Sequence, residues 1–446
     1  MDGPPLLGLS QAPPAGGAVP AARKLNAPPV VPMRTALPPE IQPAHASTFR
    51  ALRHRNFRLW FFGQLTSLVG TWMQTIAQNW LVYQLTGSAW DLGVVNFVGA
   101  IPLVPLTLHA GAIADRFSKR RIIFLAQASM MTLAFVLAIL CWMGVVRLWH
   151  VIGLAFLLGA VQAIDTPARQ AFVIELVGRE DLANAIALNS GTFHGARVVG
   201  PALAGILVAS LGVSGAFFLN GVSFLAVLGA LFLMDAALIH RAQPDRKSGN
   251  DLWGGVRYIA GNRAPRGIVL LVSLSALLAM PYYVLVPIFA KEVLGGGAGV
   301  YGGLMSAAGV GAVLGSLYAA TGGAVRRKGA VLTAGSLSFP LLLLAFSFSR
   351  SYPLSLFFTA AIGFAFVIQN APANSLLQSL VPDHLRGRVM AIYVSLFLGL
   401  MRLGSLLVGL LASATSATTA LAITAAGSLA ACLLVIGKFP ELRRME

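Results

Sequence analysis

Residues 163–188 read AIDTPARQAFVIELVGREDLANAIAL, and residues 367–394 read VIQNAPANSLLQSLVPDHLRGRVMAIYV. Laid on one another, the two stretches match at Pro167 and Pro372. Asp165 then falls on Asn370 and Arg169 on Asn374, and Glu175-Leu176-Val177 meets Ser379-Leu380-Val381 after a one-residue gap. A looser match pairs Gly93 with Gly303, and the basic turn Lys119-Arg120-Arg121 with Arg326-Arg327-Lys328. The chain is an internal duplication. Two homologous halves around a central path form a transporter architecture.

The surrounding composition places the duplication in a bilayer. Of 446 residues, 57% are hydrophobic and 11% charged, against about 25% charged in a soluble domain. A run of roughly 20 apolar residues spans a membrane. Twelve such runs follow one another, near 57–85, 89–113, 121–144, 149–176, 182–211, 214–234, 266–290, 300–321, 329–348, 353–379, 387–411 and 416–437. In lipid every backbone polar group has to be satisfied within its own segment, so the spans are α-helices. The expected fold is an all-α membrane protein of twelve transmembrane helices in two pseudo-symmetric six-helix halves.

A net charge of +17 invites a nucleic-acid partner, but its distribution excludes one. With an even number of spans and both termini inside, 26 of the 32 Lys and Arg residues lie on the inside. Arg147, Lys291 and Arg350 lie outside, and Arg169, Arg197 and Arg402 fall within spans. That asymmetry is the positive-inside rule. It predicts a multi-pass membrane protein with both termini cytoplasmic. Residues 1–48, rich in Pro, Ala and Gly, read as a disordered cytoplasmic tail in which Met33 is an alternative start. The first half covers 49–235, a cytoplasmic linker loop 236–265, the second half 266–437, and a short cytoplasmic tail 438–446.

Chemistry for catalysis is not in evidence. Cys141 and Cys432 sit singly in spans, and the histidines are scattered without metal-ligand spacing. A Gly-Lys-Ser/Thr phosphate loop is missing, which argues against ATP as the energy source. The expectation is no enzyme, no metal and no cofactor.

The turn after the second span reads Gly111-Ala112-Ile113-Ala114-Asp115-Arg116-Phe117-Ser118-Lys119-Arg120-Arg121. It resembles the GxxxDRxGRR loop of the major facilitator superfamily, with Ser118 and Lys119 departing from the pattern. The resemblance implies a cytoplasmic latch built from Gly111, Asp115, Arg116, Lys119 and Arg120. Asp115 would face a helix N-terminus, and Glu175 would be the acid for the basic residues. The fifth span reads Ala196-Arg197-Val198-Val199-Gly200-Pro201-Ala202-Leu203-Ala204-Gly205. It is similar to the superfamily's antiporter motif through Gly200, Pro201 and Gly205, which implies export in exchange for protons. The fourth span departs from the common drug exporters, which carry an arginine where this chain has Phe156. Its Asp165-Thr166-Pro167-Ala168-Arg169-Gln170 resembles the branch containing the bacterial enterobactin exporter and related secretion and drug-efflux proteins. The resemblance runs over about residues 50–435.

A charge at the centre of a bilayer costs at least about 2.5–3.5 kcal/mol, so the intramembrane charges mark function or firm pairing. Asp165 and Arg169 are spaced i, i+4 on one helix face. Pro167 frees carbonyls for Arg169 or Arg197, and Arg197 is read as a second partner of Asp165. Counting about 1.5 Å per residue from Trp149 puts Asp165 roughly 24 Å in. Asp165, Arg169, Arg197 and Arg402 are the candidates for proton coupling, although a permanent structural ion pair is the competing reading of the first two. Gln74, Gln78, Asn96, Asn189, Tyr283, Asn370 and Asn374 are the candidate cargo contacts, since amides and aromatics suit a medium-sized amphipathic ligand. The same amides also serve to hold helices together.

These readings converge on a monomeric secondary transporter. It exports a small amphipathic molecule (a siderophore, drug or secondary metabolite) by proton antiport and alternating access, with protons and the lipid bilayer as its other partners. Proton-coupled uptake is the alternative. A non-transporting receptor is disfavoured, because the outside loops hold only a few residues.

Overall fold

Helices that are apolar on every side, with amides and single charges set inside the run, have no water-facing stripe to expose. They are stable where their outer face meets lipid and their polar residues meet one another. The computed structural model of the chain is built this way. It describes residues 49–102, 106, 117–178, 180–239, 252–321 and 327–445. The expected tail 1–48 and the turn residues Gly111, Asp115 and Arg116 lie outside the described residues.

Helix α1 is Arg55–Thr86, α2 Ala89–Val98, α3 Lys119–Trp142, α4 Leu148–Val177 and α5 Leu182–Leu233. After them come a short α6 (Leu252–Gly261), then α7 (Arg263–Leu278) and α8 (Tyr282–Ile288), which a π turn extends to Val293. Then follow α9 (Ala298–Ala319), α10 (Lys328–Ser347), α11 (Tyr352–Leu380), α12 (Asp383–Ala414) and α13 (Ala417–Lys438). Among the described residues nine helical segments are long and apolar enough to cross a membrane. One is α5, whose 52 residues would reach about 78 Å if straight, more than twice a hydrocarbon core. It is two spans: Gly212 leaves helical geometry at φ 70° and ψ 177°, a region open to glycine. The 32-residue α1 has the length but carries several amides, and α2 is a helix of ten residues that ends at Gly99. Twelve passes account for all of these.

Local signals set the ends. Gly87 and Gly178, both at positive φ, close α1 and α4. Ser88, Ser118 and Ser416 each accept a backbone N–H in the first turn of the helix they precede. The segment between the halves is not loop throughout, since α6 docks on the second half. There Tyr258 donates its hydroxyl hydrogen to the carbonyl of Leu380 at 2.7 Å. Large apolar side chains face outward, among them Phe232 at 79% and Leu434 at 75% exposure, as a lipid-facing surface requires. Trp90, Trp142 and Trp149 sit exposed near the turns opposite the termini, where an interfacial aromatic belt belongs.

The core divides in a particular way. Toward the end of the bundle that carries the described termini, each half has its own core. Phe57, Trp60, Ile123, Phe172, Leu176 and Leu231 form one, and Ile268, Leu271, Leu332, Leu377, Ile436 and Leu442 the other. Toward the far end the two halves share a single core. It takes Met73, Trp80, Leu92 and Phe217 from the first half, and Leu285, Phe289, Tyr301, Phe339 and Leu421 from the second. The shared part depends on close backbone approach. A Cβ on Gly302 of α9 would stand 2.6 Å from the carbonyl oxygen of Pro201 and 2.7 Å from Cα of Gly205 on α5. Only glycine fits there.

Candidate functional site

The polar side chains enclosed by the spans fall into four levels, from the termini end to the far end. At the first, α3 starts with Lys119, whose Nζ lies 2.6 Å from Oε1 of Glu175 near the end of α4. Arg120 reaches the carbonyl of Phe232 at 3.4 Å. This joins the described part of the predicted latch to its predicted acid, within one half. A second cluster here was not foreseen. Asp181 binds Nε of Arg50 and Nε2 of His54, each at 2.8 Å, and Asn184 accepts the N–H of Ala51. The chain before α1 is thereby stapled to the start of α5.

The second level holds the buried carboxylate. Asp165 is wholly enclosed, and its Oδ2 lies 2.8 Å from Nε of Arg169. Gln127 of α3 donates to both carboxylate oxygens at 3.3 and 3.4 Å and accepts from Ser67. Arg169 donates Nη1–H to Gln64 at 3.0 Å. The network therefore ties α1, α3 and α4 of one half. Arg197 is not in it, contrary to the expectation of a shared partner for Asp165. The reason is rotational: Arg197 leaves α5 on the face toward α1 and α11. There its guanidinium carbon sits 5.7 Å from the Trp72 ring centre and 5.5 Å from that of Phe366, within cation–π range of both.

That contact is the third level, and it spans the two halves. Beside it Ser306 of α9 donates to the carbonyl of Val198 at 3.2 Å. The fourth level is an amide chamber of about 110 Å³ inside the first half. Gln74, Gln78 and Asn96 line it, as do Gln162 and Asn220, and Asn220 donates to Gln74. Arg402 enters from α12 of the other half and donates Nη1–H to the carbonyl and Oδ1 of Asn96 at 3.2 and 3.4 Å. Asn96 donates in turn to Asn79, which donates to the Tyr301 hydroxyl. Beyond these, Tyr83 donates its hydroxyl hydrogen to Glu292 at 2.8 Å, and Trp80 stacks on Tyr301.

The predicted cargo residues are thus divided. Gln74, Gln78 and Asn96 share the amide chamber. Asn370 and Asn374 line a separate cavity of about 730 Å³ on α11, open toward the termini end, with Ser316, Gln378 and Arg386. Tyr283 instead shares a hydrogen bond with Ser405 at 3.1 Å, and Asn189 lines neither cavity. Gly205 and Pro201 meet α9 across the halves, while Gly200 abuts Trp72 and Val69 of α1. Gln127, Asn220, Glu292 and Tyr301 join these contacts without any motif in the sequence to mark them. A lone amide in an apolar run was the available signal for the first two.

A two-half bundle with a polar axis and cross-half contacts near one end is the class of multi-pass transporters with the major facilitator fold. The chain belongs to the family described as transmembrane secretion effector, whose model matches residues 46–446. It is 26% identical over 359 residues to the staphyloferrin A transporter of Staphylococcus aureus, covering 80% of this chain and 89% of that one. It is 28% identical to the multidrug efflux pump Tap of Mycolicibacterium fortuitum (79% and 88% covered). It is 25% identical to the enterobactin exporter EntS of Shigella boydii (88% and 94% covered). Among solved structures it is similar to the nucleoside transporter NupG, with a TM-score of 0.68 at 15% identity over 87% of this chain and 99% of that one. At that identity the likeness concerns the fold.

Proposed function

We propose that this chain exports a small amphipathic molecule, in the class of siderophores, drugs or secondary metabolites, across a bacterial cytoplasmic membrane in exchange for protons. The observation that carries the reading is the division of the core: separate halves toward the termini end, one shared core at the far end. The excess of basic residues on the termini side supports a cytoplasmic location for that end, with both tails and the 236–265 linker. The described conformation is then the one that loads cargo from the cytoplasm. The names of the relatives, two of them siderophore transporters and one an efflux pump, support export of such molecules.

Asp165 is the proposed proton site. A carboxylate wholly enclosed beside Arg169 switches when it exchanges its arginine partner for a proton during the cycle. Gly111, Asp115, Arg116, Lys119, Arg120 and Glu175 are the proposed latch between states. Gln74, Gln78, Asn96, Asn189, Tyr283, Asn370 and Asn374 are the proposed cargo contacts, and the working unit is a monomer. The test is a reconstituted vesicle with an imposed pH gradient. Asp165→Asn is expected to abolish uphill export and to spare downhill exchange, because only the coupling is lost. Uphill flux that survives in Asp165→Asn removes the proton site from this residue. Uphill flux in the opposite direction contradicts export.

A further inference from the structure

Three arginines lie within the spans, and they are not equivalent. Arg169 has a carboxylate 2.8 Å away. Arg197 touches two aromatic faces and makes no ion pair or hydrogen bond among the described residues. Arg402 binds only Asn96 through Nη1, so its Nε and Nη2 meet no protein acceptor among the described residues. An amide oxygen accepts a hydrogen bond but cancels no charge, and an uncompensated cation at membrane depth is costly. Among the described residues the amide chamber that Arg402 enters has no acid in its wall. Its volume of about 110 Å³ is several times the roughly 10–15 Å³ that one water needs. It has room for a carboxylate with its waters.

We infer that the cargo is an organic anion whose compact charged group, a carboxylate or its equivalent, is held by Arg402 at the amide chamber. This rests on the exporter reading above and narrows its substrate class. A guanidinium fork with free N–H groups suits a planar anion, and the amides of Gln74 and Gln78 supply further donors, while Asn96 spends both of its N–H groups on Asn79 and Leu92. Arg402 comes from one half and the chamber from the other, so a bound anion bridges the interface that has to part during the cycle. Arg197 adds a second positive charge on the path, with Trp72 and Phe366 as flat surfaces for the apolar part of the cargo. A lipophilic cation would meet two uncompensated positive charges instead.

The test uses the full chain in nanodiscs, read by thermal midpoint and tryptophan fluorescence. The probes are salicylate, its neutral analogue salicylamide, and the cation tetraphenylphosphonium. Salicylate is expected to raise the midpoint while the other two leave it in place. Arg402→Gln is expected to weaken the salicylate response at least tenfold, Arg402→Lys to keep part of it, and Arg350→Gln to keep all of it. Asn96→Asp supplies a fixed carboxylate beside Arg402. It is expected to raise the midpoint with no probe present and to remove the salicylate response. A response to tetraphenylphosphonium without one to salicylate, or a salicylate response intact in Arg402→Gln, overturns the inference. Export itself is judged separately: uphill flux that depends on Asp165 keeps the exporter reading standing when anion binding fails. Absence of that flux with salicylate binding intact strikes the exporter reading alone.

Discussion

At the far end of the bundle Trp80 of one half stacks on Tyr301 of the other, whereas at the termini end Trp60 packs edge-on against Phe172 of its own half. The same helices build both ends, so the difference lies in which side chains each half keeps for itself. Each half is self-sufficient near the termini. It can part from its neighbour there without exposing its core. The far end is held by a shared apolar core together with contacts that water can replace: Tyr83 to Glu292, Asn79 to Tyr301 and Asn96 to Arg402. In the proposed cycle, opening the far end has to break these contacts, worth about 0.5–1.5 kcal/mol between neutral groups and up to about 3 kcal/mol where one partner is charged.

The two ends differ most visibly in their aromatic anchors. Phe172→Ala and Tyr301→Ala are each expected to cost about 3–5 kcal/mol of packing, seen as a fall in thermal midpoint. They should differ in kind. Tyr301→Ala opens the far end and raises the labelling of nearby introduced cysteines from that side, while Phe172→Ala lowers stability with accessibility unchanged. Equal accessibility changes in the two variants would erase the distinction between the ends.

Gly302→Val comes next. Its side chain collides with the Pro201 carbonyl, and overpacking of this kind costs about 1–3 kcal/mol. Because the collision is across the halves, the cost falls on the far-end-closed state. We expect a transport rate at least tenfold below the parent in vesicles, with the folded protein retained on size-exclusion chromatography. Tyr83→Phe removes one polar contact. It is expected to cost about 0.5–1.5 kcal/mol of far-end closure, a change in label distances with little change in midpoint.

The smallest effect concerns Glu441 in the turn after α13. Its backbone hydrogen bond and the nearby Arg263, 3.1 Å away, hold its carboxyl below the usual range. The contribution is therefore present above the ordinary carboxylate pKa and lost as pH falls through the lower folded value. The pair is exposed, so only a slight, salt-sensitive drop in midpoint on acidification is expected, and Glu441→Gln should remove that part of it.

Much of this was legible in the chain itself. The repeat around Pro167 and Pro372 gave the two halves, because the residues flanking both prolines recur at one offset. The i, i+4 spacing put Asp165 and Arg169 on one face, and they do pair. Periodicity along one helix is blind to which neighbour meets which face, and this is where Arg197 went astray. Its partners Trp72 and Phe366 lie on α1 and α11, far away in sequence. Glu292 reads as an ordinary solvated acid until α1 brings Tyr83 beside it. Asn220 and Gln127 were visible as lone amides in apolar runs, yet only the packed bundle pairs them with Gln74 and Asp165. The common element is tertiary rotation of helices that are apolar all round and so carry no moment to fix it.

The most direct test of the two-ended design is a pair of distance measurements in nanodiscs by electron spin resonance. One pair of labels sits across the far end, at Ser88 and Ser351, and the other across the termini end, at Glu180 and Gly387. The far-end pair should be narrow and the termini-end pair broad in the resting protein. Any condition that lengthens the first, Gly302→Val included, should shorten the second. Distances that rise or fall together at both ends would contradict a bundle that opens at one end as it closes at the other.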